Sequence, residues 1–315
     1  MLEPAGETLL YYAAGGGLGH ITRALAILQA LPQGSFPARV LCSSRLSPLV
    51  REAAGPLPLD CPPEEILSSR RAYYRYLRDY LALYRVGILV LDCFPWGLIG
   101  EWAELGEHIP RLLIARSLKW GAYRERLDSR EGPPPRASLV LELLEEEYHR
   151  LLKGWGDTAL LADPVLPADF DVSETSPPSF KENRLLLVHS GSREEQHQLR
   201  DFAQQQAAER GLRDPLLDTV FPDRNLFPAH PLYREYRYIA AGGGYNMAAA
   251  SSRALPGQSF FLHPFPRRFD DQQARVDNLT RGLWQDGRGN GREEAARWIF
   301  NCIKNLDRID RKSVV

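Results

Sequence analysis

One histidine sits where a glycine turn meets a helix. Residues 9–14 are apolar, Gly15, Gly16, Gly17 and Gly19 follow, and His20 comes next. Ile21, Ala24, Leu25 and Leu28 then repeat at helical spacing. Strand, glycine turn and helix in that order open a βαβ unit. The glycines let the backbone come close to a bound group, and the helix start aims free N–H groups and a positive dipole end at it. An anion, a sugar or a reacting oxygen suits that place. An imidazole at its mouth titrates in the range useful for proton transfer. The alternative is a histidine that only caps the helix or bonds the turn.

Other residues fall at similar places. Residues 87–91 form a continuous apolar run, read as a buried parallel strand, and Asp92 ends it. Strand ends form the ligand edge of such sheets, so Asp92 either binds a substrate hydroxyl or caps the next helix. A second apolar run, residues 184–189, leads into Ser190, Gly191 and Ser192. A third, residues 236–241, leads into Gly242, Gly243, Gly244, Tyr245 and Asn246. His263, Pro264, Phe265 and Pro266 follow a fourth, and Asp270, Asp271, Gln272 and Gln273 open a helix after it.

The first turn is not a dinucleotide fingerprint. Gly15 and Gly17 match G-x-G-x-x-G, but His20 occupies the third glycine position. The second strand, residues 38–43, is followed by Ser44 and Arg45 rather than by an acid for a ribose of NAD. A dehydrogenase is therefore disfavoured. The net charge of −1 gives no case for nucleic-acid binding through bulk charge. Cys42, Cys61, Cys93 and Cys302 lack metal or redox spacing and read as reduced thiols. No basic apolar leader and no bilayer-length apolar run is visible, so a cytoplasmic location is expected.

The elements needed to carry these residues form two βα series. The 315 residues suit two domains. The first spans 1–165, with a helix over 64–85, strands at 87–91 and 111–115, a helix starting near 98, a proline loop at 131–136, a helix over 139–153 and a last strand at 158–162. Residues 163–180, with Pro164, Pro167, Pro177 and Pro178, read as the linker. The second domain spans 180–315, with edge strands near Leu216 and Leu226 and an amphipathic final helix over 292–308, which is expected to pack back on the first domain. The expected fold class is α/β, two doubly wound Rossmann-like domains facing a cleft. The 64–85 helix carries Arg70, Arg71, Arg75, Arg78 and Arg85 beside Tyr73, Tyr80 and Tyr84. It is either a solvated helix or a peripheral contact to an anionic membrane or a charged acceptor.

Gly15-Gly16-Gly17-Leu18-Gly19-His20-x-x-Arg23 resembles the N-terminal signature of two-Rossmann-domain (GT-B) glycosyltransferases. The nearest group is similar to the bacterial peptidoglycan N-acetylglucosaminyl transferase and its relatives. Asp92-x-Phe94-Pro95-x-Gly97, Gly243-Gly244-Tyr245-Asn246 and Phe261-x-x-Pro264 with Asp271-Gln272-Gln273 resemble further motifs of that group, in its order. The resemblance implies a hexosyl-type, metal-independent glycosyltransferase with no cofactor. It implies a nucleotide-diphospho-sugar donor, a UDP-sugar, in the second domain. There Ser190, Gly191, Ser192, Gly243, Gly244, Tyr245 and Asn246 would lie near the phosphates, and Asp271, Gln272 and Gln273 near the sugar. The acceptor, of unknown identity, would meet Gly16, Gly17, Gly19, Arg23 and Asp92 in the first domain, with His20 as the catalytic base. One departure is plain: the group's ribose-binding glutamate position is Ala250 here. That leaves a non-catalytic ligand- or partner-binding member of the fold as the alternative. A sugar-nucleotide epimerase ranks behind both, since no carboxylate triad can be placed for it.

Overall fold

The computed structural model describes residues 7–15, 17–32, 34, 36–43, 47–155, 159–167, 170, 179–220, 227–283 and 291–312. The first series runs β1 (Thr8–Ala13), α1 (Leu18–Gln29), β2 (Ala38–Cys42), α2 (Ser47–Ala54), β3 (Leu59–Asp60), α3 (Glu64–Leu67), α4 (Arg70–Leu83), β4 (Val86–Asp92), α5 (Glu101–Glu104), β5 (Arg111–Ala115), α6 (Trp120–Leu127), β6 (Ala137–Val140), α7 (Glu146–Trp155) and β7 (Ala159–Leu161). Its strands form one parallel sheet in the order β3-β2-β1-β4-β5-β6-β7. The second runs β8 (Lys181–Val188), α8 (Arg193–Glu209), β9 (Leu216–Val220), β10 (Tyr236–Gly242), α9 (Tyr245–Ser251), β11 (Ser259–His263), α10 (Gln272–Thr280) and α11 (Gly291–Lys312). Its parallel sheet has the order β11-β10-β8-β9. Both sheets are doubly wound, the architecture expected from the alternating pattern.

Strand period explains the uniformly apolar runs. In β1, Leu9, Tyr11 and Ala13 enter one core, while Leu10 and Tyr12 enter the core on the opposite face. β4 divides likewise, with Ile88 and Val90 on one side and Leu89 and Leu91 on the other. A strand covered on both faces has no use for polar alternation. The first of these cores also takes in Ala241, Tyr245, Ala248 and Ala249 from the second series, so the two series share apolar packing. It takes in Ala295, Ala296 and Ile299 of α11, which packs against α1.

Several local expectations are corrected. The helix expected over 139–153 is a strand followed by a shorter helix. Leu139 and Val140 extend the sheet between β5 and β7 and are buried there, so burial outweighs the helical propensity of leucine. The helix over 64–85 is broken after Leu67, and Ser69 caps α4 by accepting from Ala72 N at 3.4 Å. The helix near 98 is the single turn α5, begun after Gly100 in the left-handed region at φ 80°. α2 and β3 were not anticipated. The proposed strand near Leu226 lies outside the described residues, as does most of the 163–180 linker.

Candidate functional site

A cleft of about 680 Å³ lies between the C-terminal ends of the two sheets. That volume is in the range of small-ligand sites. Gly15, Gly17, Gly19 and His20 line it from the first series, and Ser190, Gly191, Gly244, Tyr245 and Asn246 from the second. The two turns touch, since Asn246 Nδ2 donates to Gly19 O at 3.4 Å. Gly16 lies outside the described residues.

His20 stands on the first turn of α1, over the glycines. A Cβ on Gly15 would meet its ring at 2.3 Å, so only glycine allows this close approach. The residue before the helix, Gly17, has no side chain to cap it, and His20 does not do so either. Its Nδ1 turns inward and lies 3.5 Å from Asp92 Oδ2, and Phe94 stacks on the ring at 5.9 Å. Burial lowers the imidazole pKa below its ordinary 6.5, and Asp92 only partly opposes that. Burial thus favours the neutral ring, whose Cδ2–Nε2 edge packs over Gly15.

Asp92 and Arg23 differ from the expectation that they bind the acceptor directly. Both side chains are fully buried, and neither lines the cleft. Arg23 Nη2 donates to both Asp92 oxygens, at 2.7 and 2.9 Å, and Nε donates to Oδ1 at 3.2 Å. Burial would raise the Asp92 pKa, but Arg23 and then His20 outweigh it and hold the carboxyl at about 2. Asp92 reaches the cleft only through His20. Arg23 in turn lies 5.0 Å from the Tyr245 ring, and Tyr245 OH accepts from Val165 N at 3.1 Å.

The second series places its predicted residues unevenly. Ser190, Gly191, Gly244, Tyr245, Asn246 and Gln272 line the cleft. Ser192 instead caps α8, accepting from Glu195 N at 3.3 Å. Gly243 bridges backbone, donating to His263 O and accepting from Arg275 Nη1. Asp271 caps α10, accepting from Ala274 N at 3.1 Å, and Gln273 Nε2 donates to Asp277 along its own helix. Gln272 Oε1 accepts from Phe265 N at 3.0 Å, which fixes the wall after β11. Near Ala250 the lining is apolar, with Val188, Val220, Tyr233 and Met247.

Sequence reading missed a set of charged residues that the fold brings together. Arg116, two residues beyond Ile114, follows the end of β5, and Ile114 pairs in register with Asp92 on β4. Asp270 and Arg267 line the facing wall. Arg275, on α10, donates to Glu142 at 2.6 and 2.8 Å and to Asp270 at 2.6 Å, with no exposed side-chain surface. Glu195 binds both Arg267 and His189, and the Arg267 bonds foremost bring its carboxyl down to about 2. The one available signal was Arg116, which follows an apolar run as Asp92 does. Among the described residues, no group of three or more His, Cys, Asp or Glu is placed to hold a metal, and no helix is long and apolar enough to cross a membrane.

No family model and no curated protein sequence matches this chain. Solved structures do. A putative UDP-N-acetylglucosamine 2-epimerase from Listeria monocytogenes superimposes with a TM-score of 0.57 at 12% identity, covering 96% of this chain and 97% of its own. The UDP-GlcNAc 2-epimerase of Neisseria meningitidis gives 0.55 at 11% identity, covering 95% and 100%. The glycosyltransferase SnogD of Streptomyces nogalater gives 0.49 at 14%, covering 94% of each. The two epimerase superpositions show the fold, which is the two-Rossmann, GT-B type.

Proposed function

We propose that this protein moves a hexosyl group from a nucleotide-diphospho-sugar, a UDP-sugar, to an acceptor hydroxyl, with no metal in the step. The observation that carries the reading is His20 in the cleft, its Nδ1 3.5 Å from the buried Asp92. Nε2 takes the acceptor proton as the hydroxyl oxygen bonds to the anomeric carbon. The bond from that carbon to the diphosphate breaks, and the diphosphate leaves with the electron pair. Asp92 holds the ring and stabilises the imidazolium that forms, as a buried carboxylate does for a catalytic histidine elsewhere. Backbone N–H groups at Ser190, Gly191 and Gly244 face the leaving group.

Epimerisation fits the charges less well. Asp92, Glu142, Asp270 and Glu195 are each engaged by an arginine, which leaves none of these carboxylates free to work beside His20 in proton transfer at carbon. The Neisseria epimerase holds UDP-GlcNAc in the same fold, which supports a nucleotide-sugar ligand here. A second reading, a non-catalytic binder, is favoured by Ala250, which is buried among Leu186, Val220 and Tyr233. The deciding assay incubates the protein with a panel of UDP-sugars and candidate acceptors and follows released UDP. Acceptor-dependent release supports transfer. Binding of UDP without release under any pairing supports the second reading.

A further inference from the structure

Arg116 lines the cleft yet is only 6% exposed. Its Nε is buried with no hydrogen-bond partner. Its Nη2 has only long contacts, 4.0 Å to Cys93 Sγ and 3.8 Å to Asp270 Oδ1. Asp270 does not depend on it, because Arg275 donates to the same oxygen at 2.6 Å and Gln272 Nε2 donates to the other at 3.2 Å. Three neighbouring arginines are engaged by carboxylates, Arg23 by Asp92, Arg275 by Glu142 and Asp270, and Arg267 by Glu195, while Arg268 at the cleft is exposed and lies over the Phe269 ring. Buried guanidinium groups are ordinarily bonded through their fork of donors. Arg116 is not, and it is held in place by packing, 5.4 Å from the Tyr245 ring.

We propose that Arg116 is the docking point for an anionic group, a phosphate or a carboxylate, on the ligand held against His20. The proposal rests on reading the cleft as the substrate site. It assigns to Arg116 a charge that the glycine turns cannot supply, since dipole ends carry only about half an elementary charge. The planar fork matches two oxygens of an oxyanion at once. Arg116 follows the strand beside Asp92 in the first sheet and approaches Tyr245 of the second turn. The anion therefore comes either from the diphosphate of the donor or from a charged acceptor.

Calorimetric titration with pyrophosphate, UDP and uridine separates these sources. The proteins are the wild type, Arg116→Gln, Arg116→Lys and a control, Arg78→Gln, on the exposed face of α4. Pyrophosphate affinity should fall about ten- to a hundredfold in Arg116→Gln, the usual worth of a charge-assisted bond. The lysine variant should lose less, and the control nothing. An equal loss for UDP with none for uridine assigns the anion to the donor. A loss for pyrophosphate alone assigns it to the second substrate. If the glutamine variant has no thermal transition, the smaller loss in the lysine variant decides. Unchanged affinities in a folded Arg116→Gln protein overturn the proposal, as does a wild type that binds neither pyrophosphate nor UDP. A wild type that binds pyrophosphate but not UDP counts against the nucleotide-sugar reading alone, and its pyrophosphate arm still decides Arg116.

Discussion

Arg275 and Glu142 are 133 residues apart and meet in a two-pronged bond, at 2.6 and 2.8 Å, that joins the two βα series. The Arg275 side chain has no exposed surface and that of Glu142 has 3%. Removing one partner of a buried pair leaves the other charge uncompensated. Glu142→Ala should lower unfolding free energy by about 3–5 kcal/mol. Urea denaturation measures it, and a loss under about 1 kcal/mol, the worth of an exposed pair, would place this bond at the surface in solution.

His20→Ala should lower turnover by about 10²–10⁴-fold, the range for one general base. UDP affinity should change little, because the nucleotide reading places that ligand on the second sheet. Steady-state kinetics and calorimetry on the same preparation test both halves. Undiminished turnover removes His20 from the base role, and a parallel loss of affinity makes it a binding residue instead.

The pH profile has a defined direction. Burial lowers the His20 pKa, so the acid limb of kcat/KM should lie below pH 6.5. Asp92 raises that pKa, so Asp92→Asn should move the limb lower still while reducing the rate. Stability follows the same sign. The folded imidazole resists protonation, so its contribution is present above the unfolded value of 6.5 and is lost as pH falls through the folded one. The Asp92 contribution is present above 3.8 and is lost as pH falls through about 2. An acid limb above 6.5 contradicts this account.

Ala250 predicts a weak nucleotide site. A carboxylate accepting from ribose hydroxyls contributes about 1.5–3 kcal/mol, which is a factor of roughly ten to a hundred in affinity. The native protein should therefore bind UDP in the high micromolar range or more weakly. Ala250→Glu should tighten that binding, since the residue lines the cleft. It should also lower the stability of the free protein, because the new carboxyl enters the cluster with Leu186 and Val220. Calorimetry of both proteins with UDP gives the comparison; submicromolar native binding would show that another residue holds the ribose.

The βα order, the glycine turns and His20 were legible in the chain. They depend on local rules: apolar runs for strands covered on both faces, glycine where backbone must approach a side chain, helical spacing after it. β1, α1, β4, β5 and β10 follow from those rules alone. β6 did not, because Leu139 and Val140 become a strand only by pairing with β5 and β7. The role of Asp92 was undecided for a similar reason. Its strand-end position marked it, but sequence spacing says nothing of Arg23 closing over it and engaging both its oxygens away from solvent. Arg116 is marked only by following an apolar run, and the pairing of Asp270, Arg275 and Glu142 has no local signature. Burial decides their chemistry, since a charge removed from water is governed by whichever opposite charge the fold places beside it, and here those partners are up to 133 residues away.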